Sequence, residues 1–494
     1  IQVNVCPKHT KPRIRIPVAD LSLPDYYYFK RFLYLPTYIS GNFSMQNKNV
    51  IGYFQLLREN QLFRNLWFGQ VVSELGDWLN SIAIYALILK LSNSGMAMAG
   101  AMMAKLLPIV LISPIAGIVA DRIDRKVVMI SSDLLRCVVV LGFLFVEDQS
   151  TLWFIYTLVI IEISLSGFFE PARSAIIPSL VSKEHLVTAN ALSGATWSVM
   201  LAFGAALGGV IVSLFGIRIA FIIDACTFLI SAWFIAKIPS KIKPAKKPEK
   251  KNGFQELADA MHLLIKKPMI LILSLLKSGL AVTGGIMTLI PLMASQVVSK
   301  PAMLSLGIGI LYSSRGLGAA VGPLLVKRLF GETTTVLNWS IAVAFFLKAF
   351  SYSFIGNSTN LFTLSLSVAA ATLFGSIIWV FSSALIHLST PDKYLGRVFS
   401  FELAVMTLVM GISNWGVGFA IDELRLTSNQ VAFAMAVLIT ISGLLWTGFL
   451  ILNRKKFQKE NRMDAIYPVD PSGFNPLPIT QKKLLEKKDQ EVEK

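Results

Sequence analysis

Residues 117–126 read GIVADRIDRK: five charged side chains within six residues, set between MMAKLLPIVLISPIA (102–116) and VVMISSDLLRCVVVLGFLFV (127–146). An apolar run of about 18 residues or more is long enough to cross a bilayer as a helix. The decapeptide therefore reads as a turn between two membrane spans. The same alternation of apolar run and polar turn recurs along nearly the whole chain.

Composition agrees. The chain has 494 residues, of which 54% are hydrophobic and 15% charged, and its mean hydropathy is +0.62. A soluble domain carries about 25% charged residues. By the length rule the first six spans fall at 65–91, 96–120, 127–146, 151–170, 190–214 and 217–237. The second six fall at 269–297, 303–326, 335–355, 360–388, 398–421 and 430–452. The fold class is all-α, polytopic, with twelve spans in two six-helix halves.

Between the halves lies PSKIKPAKKPEKKNG (239–253), with six lysines, three prolines and one glutamate, too polar for a bilayer or a core. FQELADAMHLLIKK (254–267) follows with apolar positions at helical spacing, as in a surface helix. The organisation expected is a polar extension over 1–60, a first half over 61–238, a basic linker with its surface helix over 239–268, a second half over 269–453 and a charged tail over 454–494. Met45 would be a natural initiator, so 1–44 are expected to be upstream translation or a dispensable extension.

The net charge of +17 need not mean nucleic acid. Lys and Arg concentrate in alternate loops, DRIDRK, RSAIIPSLVSKEH, the linker, VKRLFGE, PDKYLGR and NRKKFQK, whereas SNSG, EDQST and GNSTN carry none. The positive-inside rule then places the linker and both termini in the cytoplasm of a multi-pass cell (inner) membrane protein. No module with basic and aromatic residues on one exposed face is apparent, so nucleic acid is not expected as a partner. The lipid bilayer is the expected medium and a monomer the expected state.

Membrane enzymes of the metal or acid–base kind need clustered ligands. His9, His185, His262 and His387 are scattered, as are Cys6, Cys137 and Cys226. No metal, no cofactor and no catalytic residue is expected, and no phosphate-cradling loop for ATP is present.

Charges inside spans are costly, about 2.5–3.5 kcal/mol each at the centre, and mark function by default. Glu74 and Asp77 stand three apart on one face of span 1. Two nearby carboxylates disfavour double ionisation, which suits such a pair to exchanging a proton. The alternative is that Asp77 caps or braces helix contacts around Gly76 and Glu74 pairs with a base. Lys105 in span 2, Lys277 in span 7 and Arg315 in span 8 are candidate cations for pairing, Lys277 either bridging to an acid across the halves or snorkelling to the nearer surface. Glu162 in span 4 is expected to touch substrate or a neighbouring helix. Asp133 and Arg136, three apart in span 3, are expected to satisfy each other. Trp78, Phe168, Phe169 and Trp379 could line an apolar pocket or anchor helices.

GIVADRIDRK resembles the loop 2–3 signature of the major facilitator superfamily of secondary transporters, G-x-x-x-D-R-x-G-R-[RK]. It matches at Gly117, Asp121, Arg122, Arg125 and Lys126, with Asp124 where glycine is usual, and GPLLVKRLFG (322–331) looks like its decayed copy. WFGQVVSELGDWLNSIAI (67–84), LLPIVLISPIAGIVADR (106–122), DLLR (133–136), FFEPARSAIIPSLV (168–181) and TPDKYLGRVFS (390–400) are similar to the drug-efflux branch that includes macrolide exporters and the enterobactin exporter. FGAALGGVIV (203–212) resembles the antiporter signature of span 5 at Gly204, Gly208 and Gly209, with Ala205 in place of proline; ordinary small-residue packing is the alternative.

The resemblance implies alternating access and proton-driven export of a hydrophobic or amphipathic small molecule of drug, macrolide or siderophore type. A lysophospholipid transporter of the same fold and a non-transporting receptor or scaffold are the alternatives. It also implies that the loop is a latch for the outward-facing state. Asp121 would meet the N-terminal end of span 11 near Arg397–Ser400, and Arg125 would reach Glu170.

Overall fold

A computed structural model of the chain describes residues 52–92, 94–239, 262, 264–331, 333–390 and 392–454. The polar extension before residue 52, the lysine-rich linker with most of its surface helix, and the charged tail lie outside the described residues.

Among the described residues, twelve helices are long and apolar enough to cross a membrane. Spans 1 to 6 are Gln61–Leu91, Gly95–Ile112 (within a helix that continues to Arg122), Arg125–Phe145, Gln149–Leu180, Leu186–Phe215 and Ile217–Ala236. Spans 7 to 12 are Pro268–Val297, Pro301–Phe330, Thr334–Asn357, Leu361–Ser389, Tyr394–Asp422 and Ser428–Leu452. Polar caps set where several begin: the side chains of Asn60, Ser94, Asn360 and Thr427 accept the first free backbone N–H groups of spans 1, 2, 10 and 12.

Two departures from the sequence reading have local causes. Span 4 was expected to stop at 170, where Glu170 and Arg173 interrupt the apolar run, yet its helix continues to Leu180 through Pro171 and Pro178. Those charges occupy one face only. The adjoining face carries Phe169, Ala172, Ile176 and Leu180 into a buried cluster with Leu56, Phe63, Leu66 and Met129. Span 7, read as continuous, is two helical segments, Pro268–Ala281 and Ile286–Val297. The break falls at Gly284 and Gly285, and the freed backbone is re-satisfied from neighbours, as the bilayer demands. Ser413 Oγ accepts from Gly285 N at 2.9 Å and donates to the Val282 carbonyl at 2.7 Å, while Tyr352 Oη donates to the Thr283 carbonyl at 3.1 Å.

The packing has an internal two-fold character. In the first half span 3 packs on spans 4 and 6 and span 2 on span 4; in the second, span 9 packs on spans 10 and 12 and span 8 on span 10. The halves meet along spans 2 and 11 and along spans 5 and 8. Small residues let the latter pair approach: a Cβ on Gly209 would stand 2.8 Å from the Ser305 carbonyl oxygen and 3.0 Å from Gly309 Cα. Gly204 and Gly208 of the same motif instead receive Trp78 and Leu79 of span 1.

Among the described residues, the close contacts between the halves lie toward the face opposite the basic loops. Along spans 2 and 11 they run from Met103–Gly411 to Gly95–Asp422, and along spans 5 and 8 from Ala202–Gly316 to the Ser213–Ala302 hydrogen bond. Closer to the basic loops, Gly117, Gly194 and Gly396 have nothing within 4 Å of where a Cβ would stand. The halves are sealed on one face and parted on the other.

Candidate functional site

A cavity of about 540 Å³ lies in the first half, lined by charged and aromatic groups that include Glu74, Asp77, Trp78, Glu170, Arg173 and Trp197. Span 1 delivers Glu74, Asp77 and Trp78 to it within one turn and a half. Asp77 does not pair with Glu74. It accepts a hydrogen bond from Arg136 Nη2 of span 3, and its side chain remains 35% exposed while that of Arg136 is 3% exposed. One end of this ion pair thus opens on the cavity and the other is buried.

Arg136 serves more than Asp77. Glu162 Oε1 of span 4 lies 3.9 Å from its guanidinium and Asp133 Oδ1 lies 4.0 Å away, while the Phe228 ring lies 4.1 Å from Cζ. Asp133 was expected to be its partner; the hydrogen bond goes to Asp77 instead, because spans 1 and 3 bring that carboxylate into line with the fork. Glu162 also accepts from Asn80 Nδ2 at 2.9 Å, so it braces span 4 against span 1 and does not line the cavity. Asp224 of span 6 is fully buried, with Thr227 Oγ1 donating to it at 3.2 Å. Both oxygens of Asp133 and Oδ2 of Asp224 lack a hydrogen-bond partner. Four carboxylates therefore gather around one guanidinium. Asp224 carried no signal in the sequence beyond being an acid in an apolar run.

Glu74 belongs to a second chain of polar contacts. Gln70 Nε2 donates to its Oε1 at 2.8 Å, Arg173 Nη1 donates to Gln70 Oε1 at 2.9 Å, and Arg173 pairs with Glu170 at 2.7 Å. Glu74 Oε2 has no hydrogen-bond partner.

Lys105, expected to neutralise an acid, donates to hydroxyls: Ser81 Oγ at 2.7 Å and Tyr85 Oη at 3.3 Å. Tyr85 stacks on Tyr312 of span 8, ring centroids 5.4 Å apart, and Trp78 lies 6.0 Å from Tyr312. This aromatic group closes the cavity toward the sealed face. Arg315, one turn from Tyr312 on the open side, lies 5.3 Å from that ring.

Lys277 neither snorkels nor bridges the halves. It pairs with Glu402 of span 11, in its own half, at 3.0 Å, with both side chains nearly fully buried. Trp379 lies 4.5 Å from its Nζ, so this aromatic residue lines the ion pair and not the cavity. Phe169 likewise packs in the cluster at the basic face, with Phe168 against it. Lys348 of span 9, also buried, donates only to the Ala371 carbonyl at 3.1 Å and lies 5.2 Å from the Tyr352 ring.

At the loop 2–3 motif, Arg125 donates to the Ala175 carbonyl at 2.8 Å. Its expected partner Glu170 is held by Arg173, its neighbour one turn along span 4. Lys126 Nζ donates to the Ala236 carbonyl at 2.7 Å, Arg122 is exposed, and the Asp121 side chain lies outside the described residues. Asp124 takes a role glycine could not fill: its carboxylate accepts from Lys126 N at 2.9 Å and caps span 3. The contact that does join spans 2 and 11 is at the opposite face. Asp422 accepts from Gly95 N at 2.9 Å, Met96 N at 2.8 Å and Ser94 Oγ at 2.5 Å, capping span 2 from the other half.

Among known proteins, the chain is 26% identical to the uncharacterised MFS-type transporter YfiS of Bacillus subtilis, over 82% of this chain and 97% of the relative. It is 25% identical to macrolide efflux protein A of Streptococcus pyogenes over 71% and 87% of the two chains. To the enterobactin exporter EntS of Salmonella choleraesuis it is 27% identical over 69% and 81%. Its fold matches the crystal structure of the nucleoside transporter NupG with a TM-score of 0.62 at 15% identity, covering 78% of this chain and 99% of that one. It also matches a bacterial homologue of the human lysosomal transporter Spinster, in an inward-facing conformation, with a TM-score of 0.60 at 14% identity, covering 78% and 96%. The family model described as transmembrane secretion effector matches residues 53–470. With twelve spans, a two-fold arrangement of its halves and that match over most of its length, the chain is a multi-pass membrane protein belonging to the transmembrane secretion effector family of major facilitator transporters.

Proposed function

We propose that the chain is a proton-coupled exporter of hydrophobic or amphipathic small molecules, working by alternating access. The observation that carries this reading is the position of Asp77, which lines the cavity and at the same time holds a buried arginine. A proton arriving from the cavity at Asp77 weakens its hold on Arg136. The guanidinium then leans on Glu162 and Asp133, and spans 1, 3 and 4 are re-set against one another. The event is local and electrostatic, and the element it biases is the seam between the halves.

In this reading the basic loops and both termini face the cytoplasm, the monomer is the working unit, and the cavity is in its inward-facing form. The relatives named as exporters favour outward movement of substrate. Gly117, Asp121, Arg122, Arg125 and Lys126 close on span 11 only in the outward-facing form, with Glu170 released from Arg173.

The test is transport of erythromycin into everted vesicles under an imposed proton gradient. Uptake should require the gradient in the native chain and be lost in Asp77→Asn. Gradient-independent uptake, or an Asp77→Asn chain that transports as before, would sink the coupling.

A further inference from the structure

Glu74 in the first half and Arg315 in the second are in no ion pair among the described residues, and neither is Lys105 of the first half, which donates to the hydroxyls of Ser81 and Tyr85. Glu74, whose Oε2 is buried without a hydrogen-bond partner, lines the cavity of the first half together with Trp78 and Trp197. The other carboxylates of that wall are engaged, Asp77 by Arg136 and Glu170 by Arg173. In the second half Arg315, partly exposed just on the open side of Tyr312, has that ring as its charge partner among the described residues. Lys348 behind it has no carboxylate either, and Lys277 and Glu402 neutralise each other.

Among the described residues every ion pair lies within one half, and none joins Glu74 to Arg315. A ligand that carries one charge at each end can meet both. We infer that the substrate class is zwitterionic: an apolar body with an ammonium group directed to Glu74 and a carboxylate or similar anion directed to Arg315. The inference rests on the exporter reading and gives the charge class of its substrate. An ammonium group would complete Glu74 with a charge-assisted hydrogen bond and lie against tryptophan faces. A carboxylate matches the planar fork of a guanidinium, which a lysine would not match as well. Bound at both ends, such a molecule would draw the halves together on the open face.

The experiment uses the purified full chain in detergent and reads quenching of tryptophan fluorescence, since two tryptophans line the cavity. Four probes share one apolar body: the dipeptide Leu-Phe, its N-acetyl form, its methyl ester and the doubly blocked form. The free dipeptide should bind tightest, and blocking either end should weaken it about tenfold. Glu74→Gln should make binding indifferent to N-acetylation and leave the ester effect. Arg315→Gln should do the reverse. The crossed pattern distinguishes two charge contacts from a general loss of fold, and a thermal melt of each variant checks that the fold is kept. Equal binding of all four probes, a response to one end only, or no binding of any would overturn the proposal. Erythromycin transport under a gradient tests the exporter reading separately and can persist when the zwitterion fails.

Discussion

The two halves share one helical plan but manage buried charge in different ways. In the first, Asp77, Asp133, Glu162 and Asp224 crowd one Arg136. In the second, Lys277 and Glu402 form a one-to-one pair, and Lys348 stands beside a carbonyl and a ring. A closed pair has one arrangement and little reason to change it. A guanidinium shared by several carboxylates has several arrangements close in energy, and one of those carboxylates is open to the cavity. The comparison teaches that the two-fold plan of the fold does not extend to its chemistry. The first half shares one cation among several acids, and the second closes its ion pair one to one.

That contrast can be broken by experiment. The largest effect is expected at Arg136. Arg136→Gln leaves four carboxylates, three of them buried, without their cation, and removing one partner of a buried ion pair already costs about 3–5 kcal/mol. The variant should fail to give a monodisperse protein on size exclusion in detergent. A well-folded Arg136→Gln chain would show that the acids do not depend on it.

Next is the closed pair. Lys277→Met alone should cost about 3–5 kcal/mol, because Glu402 is left buried and unpaired, whereas Lys277→Met with Glu402→Leu should recover most of that. Thermal melts of the two single variants and the double variant complete the cycle. The same double replacement at Asp77 and Arg136 should recover much less, since Asp133, Glu162 and Asp224 remain. Equal recovery at both sites would erase the distinction between the halves.

The smallest effect concerns the seam. Asp422→Asn keeps the shape of the cap on span 2 but removes its charge, a loss of about 1 kcal/mol. The sealed face should then open several-fold more often, read as faster alkylation of a cysteine placed at Ser94 or Met96. An unchanged rate would mean that the small residues of spans 5 and 8 hold that face closed by themselves.

Much of this was legible in the sequence. Eleven of the twelve spans fall close to where the apolar runs place them, because a bilayer leaves the backbone little choice but helix. Span 4 overran its expected end because a run of hydropathy averages over all faces, while Phe169, Ala172, Ile176 and Leu180 needed only one. Glu74, Asp77, Glu162 and Lys277 stood out for the same reason that the spans did, as charges where charge is expensive.

Their partners did not stand out. Glu402 lies 125 residues from Lys277, and Arg136 lies 59 residues from Asp77 with Asp133 a nearer candidate on its own helix. Sequence by itself determined the number of spans, the face that carries the basic loops and several of the costly charges, though not Asp224, Lys348 or Glu402, and these readings depend on length and composition along one chain. Tertiary structure alone decided which charge meets which, that span 7 breaks, that Asp422 caps span 2, and which face is open. Those outcomes depend on how each helix is rotated about its axis and where it crosses its neighbours, and a side-chain pattern read on a single helix does not contain that rotation.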